Sequence, residues 1–311
     1  MAITATTVIS SVRDRVGESP VWSVAEQALY WVDIEGQQIR CWSPATDTVL
    51  SWSVPERVGC IGLTATAGTL VAAMETGIFA VTLLEAPEVM VECLASVTHP
   101  APGMRFNDGR CDALGRFWAS TMVMDMGLAS PVGRLYCLDA TGLHAVRLDG
   151  LQSTPLDGLI TPNGLAFSPD GGTAYLSDSH PSVQKIWAFD VDASGSLQHP
   201  RLFADMQALP GRPDGAAVDG QGYYWICAND AGLVHRFNPQ GELVESLEVP
   251  VAKPSMCTFG GADLDVLYVT SIVPGTVDAA APGLNGAVFA LQSGVCGFAS
   301  PVFTQFPLQK P

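Results

Sequence analysis

Three oxygen-bearing side chains stand out by type and setting: Glu18 in GESPVW, Asn163 in TPNGLAF and Asp214 in RPDGAAV. Each lies beside a Gly or Pro at the head of an apolar run that reads as a strand. Two carboxylates and an amide oxygen make a hard donor set, suited to Ca²⁺, Mg²⁺ or Mn²⁺ and acceptable to Zn²⁺. Three protein ligands leave coordination positions for water and a substrate oxygen, which a Lewis-acid catalyst needs. The plainer alternative is that Asn-Gly and Asp-Gly turn the chain and Glu18 is a loop carboxylate. Position weighs against it, because Asp170-Gly171 and Asp219-Gly220 already take turn roles in the same modules.

Arg105 and Asn107 flank Phe106. In an extended segment both point to one face and Phe106 to the other, toward the core, so a guanidinium and an amide form a polar clamp. The alternative for Arg105 is a surface salt bridge. Asp108 points the other way and is expected to brace the turn. His99, His144, His180, His199 and His235 show no metal-ligand spacing and read as structural or exposed, with His180, near a strand end, the exception to follow. No phosphate loop, GxSxG elbow or Cys-His pair occurs.

What must position these groups is a repeated strand module. In Thr161 to Ser179, two apolar runs flank Ser168-Pro169-Asp170-Gly171-Gly172, whose glycines supply the positive φ of a tight hairpin. Ahead of it, Asn163 sits at the mouth of an inner strand, and Gly164 lets the backbone crowd close to something bound. Similar openers recur at Gly17, Gly59, Arg105, Arg212 and Lys253, each followed by strand-like runs, at about one four-stranded module apiece. Hydrophobic residues at 48%, charged at 15%, 31 Gly and 22 Pro suit half-buried strands joined by turns. A four-stranded sheet cannot bury both faces alone, so six of them are expected to pack radially. The reading is all-β: one domain over residues 1–311, a six-bladed β-propeller of antiparallel blades with a metal site in the central channel. No seventh opener is found. The opening strand, Ile3 to Val12, is expected to pair with the last sheet and close the ring, and residues 273–285 to form a loop. Inner strands border the channel, so Glu18, Arg105, Asn107, Asn163 and Asp214 converge at one end.

A net charge of −16 with only 15 Lys and Arg argues against a nucleic-acid partner. Eight cysteines without a CxxC pair read as reduced core thiols of a cytosolic protein. The N-terminal residues lack the pattern of a secretion signal, and no apolar run reaches the ~18 residues of a membrane span. A soluble, cytoplasmic protein is therefore expected.

At GESPVW, RFNDGRCDALGRFWASTM, TPNGLAFSPDGGTAYLSD and RPDGAAVDGQGYYW the chain resembles the SMP-30/gluconolactonase family of regucalcin-like proteins, over nearly its whole length. The resemblance implies a six-bladed propeller with one divalent ion in its channel. The family's Glu, Asn and Asp ligands fall on Glu18, Asn163 and Asp214, with Ca²⁺ or Zn²⁺ foremost and Mg²⁺, Mn²⁺ or Fe²⁺ as other occupants. It also implies hydrolysis of a small-molecule sugar lactone; an aldonolactone or aldarolactone is expected, and Asp214, beside the metal, is expected to act as the base that activates water. The family's substrate-holding Arg and Asn fall on Arg105 and Asn107. Where relatives carry a substrate-contacting Glu after the TM of the third module, the nearest residue here is the shorter Asp125. Two rivals share the scaffold: a phosphotriesterase-like metal hydrolase, and a propeller that binds an ion or ligand without catalysis.

Overall fold

The computed structural model describes residues 6–146, 148, 158–278 and 280–306. Six four-stranded antiparallel sheets stand around an axis, with no α-helix among the described residues. Their inner strands are Gly17–Ser23, Cys60–Leu63, Met104–Cys111, Pro162–Phe167, Arg212–Val218 and Pro254–Gly260, in blades 1 to 6. Each packs on the inner strand of the next blade, and the last packs on the first, so the ring closes. Blade 6 takes its outermost strand from the other end of the chain: Thr6–Val8 pairs antiparallel with Phe289–Gln292. Of the strand expected over 3–12, residues 3–5 lie outside the described residues.

Burial explains why these strands pack radially. The inner strands of blades 2, 4 and 6 are buried at every residue, as are the second strands of blades 1, 3 and 5. Trp22, Trp31, Trp118, Trp187 and Trp225 sit between sheets with almost no exposed surface. Such side chains contribute on the order of 1.5–3 kcal/mol each through burial alone. Three indoles are fixed by buried carboxylates: Trp31 Nε1 donates to Asp14 at 2.7 Å, Trp118 Nε1 to Asp112 at 2.7 Å and Trp225 Nε1 to Asp219 at 3.0 Å.

All eight cysteines are free, and Cys60, Cys111, Cys137, Cys227 and Cys257 are buried. Cys93 and Cys296 are exposed, so the core-thiol reading fails for those two: they lie on an outermost strand and on the C-terminal segment. That segment crosses one end of the channel. Gly297 N donates to Leu264 O at 2.8 Å, Phe303 N to Leu63 O at 2.7 Å and Thr304 N to Gly115 O at 3.0 Å, tying blades 6, 2 and 3 together. Among the described residues no helix is long and apolar enough to cross a membrane.

Candidate metal and substrate site

The candidate residues ride on a shared irregularity of the inner strands. In blades 1, 3, 4, 5 and 6 the register against the second strand slips by one residue, between Glu18 and Val21, Phe106 and Gly109, Asn163 and Ala166, Pro213 and Ala216, and Pro254 and Cys257. Each slip is a β-bulge, which bends the strand and re-aims the side chains at it. Glu18, Asn107, Asn163, Asp214 and Ser255 all lie at these bulges. The inner strand of blade 2 pairs without a slip and presents no polar opener.

In blades 4 and 1 the approach to the bulge is fixed by a carboxylate on the neighbouring strand. Asp178 accepts from Ile160 N at 2.7 Å and Thr161 N at 3.0 Å, holding the segment that leads into Pro162-Asn163. Asp33 does the same ahead of Glu18, accepting from Arg15 N and Val16 N, both at 3.0 Å. The two acids occupy matching places, opposite Pro162 and Gly17.

Asn163 Oδ1 accepts from Asn107 Nδ2 at 2.9 Å, and the same amide donates to Pro162 O at 2.9 Å. Asn107 Oδ1 in turn accepts from Arg105 Nη1 at 2.7 Å. Arg105 and Asn107 therefore share a face, with Phe106 fully buried behind them, as the alternation requires. Asn107 also orients the amide of blade 4, a contact its spacing did not disclose. Arg105 makes no ion pair among the described residues, which removes the surface-salt-bridge alternative, and its buried Nε has no hydrogen-bond partner.

Glu18 and Asp214 come close enough for their charges to interact. Burial pushes the Glu18 carboxyl well above its ordinary range, and Asp214 and then Asp108 push it further. Burial likewise raises Asp214 from 3.8 to about 7, against the pull of Arg212, the Asn229 hydrogen bond and Lys253. Asn229 Nδ2 donates to Asp214 Oδ2 at 2.6 Å, while Asn229 Oδ1 accepts from Lys253 Nζ at 3.3 Å and Arg212 Nη2 at 3.4 Å. Both cations also pair with Asp230 at the rim. Neither Glu18 nor Asp214 forms a salt bridge among the described residues.

Two like-charged carboxylates, raised in pKa and without a salt-bridge partner among the described residues, are a donor set suited to a positive charge. With the Asn163 amide oxygen they suit a hard divalent cation. No cluster of three or more His, Cys, Asp or Glu that could hold a metal occurs among the described residues, so the candidate set needs its amide.

Asp125 stands apart. Its exposed carboxylate accepts from Gly127 N at 3.0 Å and caps the short 3₁₀ turn Met126–Leu128. It lies beyond Met122, the register partner of Arg105, and hence at the same end of blade 3. His180 bonds Ser182 and touches none of these groups.

Two expectations need correction. Gly164 does adopt φ +61°, but the close approach is to protein: Tyr224 Oη of blade 5 donates to Gly164 O at 2.7 Å and fills the space a Cβ would need. Asp108 reaches beyond its own turn to the next blade, accepting from Leu165 N at 2.7 Å, and burial raises its carboxyl to about 6. Asp108 and Asn229 were not recognised as site residues. Their partners lie in other strands, and only the DG and ND dipeptides marked them.

A model of the SMP-30/gluconolactonase/LRE-like region matches residues 16–273. The chain is similar to a 6-deoxy-6-sulfogluconolactonase of Pseudomonas putida, 38% identical over 93% of this chain and 94% of that protein. It is also similar to an L-arabinolactonase of Azospirillum brasilense, 32% identical over 97% and 96%. In fold it matches a calcium-binding protein, regucalcin, from Agrobacterium tumefaciens, with a TM-score of 0.86 at 23% identity, covering 98% of this chain and all of that one.

Proposed function

The chain belongs to the SMP-30/gluconolactonase/LRE-like family, and from that premise we propose that it is a lactonase, a carboxylic-ester hydrolase that opens a sugar lactone to its hydroxy acid. The observation that carries the reading is the half-buried Glu18 and buried Asp214 carboxylates gathered with the Asn107–Asn163 amides at the bulges of separate blades. Glu18, Asn163 and Asp214 would hold one divalent cation, Ca²⁺ or Zn²⁺ foremost. When bound, that ion supplies Lewis-acid polarisation of the ester carbonyl.

The protein's own groups do the rest. Asp214 takes a proton from water as the water oxygen bonds to the carbonyl carbon. As the ring C–O bond breaks, the proton passes to the departing ring oxygen, which regenerates the base and leaves the product's carboxylic acid, whose own proton is then lost to solvent. No covalent enzyme intermediate is formed. Arg105 and Asn107 hold the hydroxyls of the sugar, with Asp125 at the rim of the same blade as a further contact. Asn107 already spends one amide hydrogen on Asn163, so ion and substrate sites share a hydrogen bond.

The experiment is acid release from C5 and C6 aldonolactones, aldarolactones and a 6-sulfo-gluconolactone by stripped protein given Ca²⁺, Zn²⁺, Mn²⁺ or Fe²⁺ in turn. Paraoxon-type esters run alongside, and spontaneous opening is subtracted. Ion-dependent turnover of one lactone class is expected, with kcat about 10²–10⁴-fold lower in Asp214→Asn. Faster turnover of the phosphate esters, or none of any lactone with every ion, would overturn the reading.

A further inference from the structure

The inner strand of blade 3 carries a second arginine deeper in the channel. Arg110 follows Asp108 by two residues and leaves its own sheet altogether: its Nε donates to Leu165 O at 3.1 Å in blade 4, and its Nη2 to Ala216 O at 2.5 Å in blade 5. Leu165 and Ala216 are each two residues beyond a proposed donor, Asn163 and Asp214, and both lie where the inner strand leaves its bulge. Arg110 thus grips the exits of the two bulges that present those donors. Asp108, whose ionised form Arg110 favours, completes the frame by accepting from Leu165 N.

A bulge leaves backbone groups outside the ladder of its own sheet, and a buried carbonyl without a partner costs free energy. Here a single guanidinium serves two such carbonyls from different blades in a fixed fork geometry. Loss of the fork frees the two bulges to move independently. Arg110 also lines a cavity of about 170 Å³, bounded by Phe167, Val218, Phe259 and the C-terminal segment at Ser300 and Pro301, so unsupported strands have space to relax into.

We propose that Arg110 is a positioning residue for the channel site, a crossbar that sets the separation of Asn163 and Asp214 and so the affinity for the divalent ion. This rests on the reading of Glu18, Asn163 and Asp214 as the ion's ligands. It assigns Arg110 no contact with ion or substrate. Arg110→Met removes both hydrogen bonds, and Arg110→Lys keeps the charge but cannot serve both carbonyls in the same fork. Arg116→Met is the control: it breaks a cation contact in the same blade, to Asp112 and Trp118, on a side chain that does not reach the channel bulges.

The test is the Kd for Ca²⁺ and Mn²⁺ by calorimetry on stripped proteins, with melting temperature measured in chelator. Expected are a Kd raised about 10–100-fold in Arg110→Met, a smaller rise in Arg110→Lys, and the wild-type value in Arg116→Met even where its melting temperature falls. Should Arg110→Met fail to fold, Arg110→Lys against Arg116→Met decides: equal Kd in those two overturns the proposal. Wild-type Kd in a folded Arg110→Met also overturns it and leaves the ligand assignment intact. A wild-type protein that binds neither ion overturns the ligand assignment and, with it, the crossbar.

Discussion

Replacing Asp214 by Asn should reverse the stability order of wild type and variant according to whether ion is present. In the ion-free protein Asp214 is buried near Glu18 and Asp108, and its carboxyl sits at about 7 against 3.8 when unfolded. At pH 7 that difference disfavours the folded state by about 4 kcal/mol. The variant removes this cost but weakens the 2.6 Å bond from Asn229, which is charge-assisted only with a carboxylate, at about 1–2 kcal/mol. The net expectation is a stabilisation of about 2 kcal/mol, a rise of a few degrees in Tm. With ion at about 100 times its Kd, wild type gains about 2.7 kcal/mol through binding, and the variant, short of a ligand, gains far less. Thermal melts of both proteins at pH 7, in chelator and in excess Ca²⁺, would show the curves change places. A variant less stable than wild type in chelator, with the same upward shift in Ca²⁺, would refute both the burial cost and the ligand role.

Other outcomes follow from the same contacts. Glu18, Asp108 and Asp214 all titrate higher folded than unfolded, so their contribution to ion-free stability is complete below the ordinary carboxylate range and is lost as pH rises, through about 6 for Asp108 and about 7 for Asp214. Melts in chelator should therefore peak at lower pH than melts in Ca²⁺, and calorimetry should show ion binding weakening as pH falls through 7. Gly164→Ala places a Cβ against Tyr224 Oη at φ +61° and should cost about 2–4 kcal/mol in urea unfolding; a neutral result would remove the packing reason for this glycine. Arg105→Lys keeps a charge but loses the planar guanidinium whose Nη1 donates to both Asn107 Oδ1 and Phe106 O, and should raise KM for the lactone about 10-fold or more with ion affinity little changed.

Much of this architecture was legible because inner and second strands carry long apolar runs with polar openers at one end. The Thr161–Ser179 hairpin forms as read, with Gly171 at φ +71°, although Gly172 takes no positive φ. The outermost strands Thr48–Ser53, Val89–Ser96 and Gly142–Ala145 were not picked out, because mostly exposed or half-buried residues leave little apolar alternation to follow. The shared face of Arg105 and Asn107 was readable from spacing alone. The uses of Asp108, Arg110 and Asn229 were not, since each is defined by a partner on another strand: Leu165, Ala216 and Asp214, respectively. Gly164 shows the limit from the other side. Its conformation was readable, but what crowds it is a tyrosine 60 residues away in sequence.

The central claim is that one divalent ion sits among Glu18, Asn163 and Asp214. Anomalous diffraction from crystals of the full chain soaked in Mn²⁺ tests it most directly. A single strong peak within coordination distance of oxygens from all three side chains, absent in Asp214→Asn, is the result predicted. A peak elsewhere in the channel, or none at a concentration that saturates binding in solution, would contradict it.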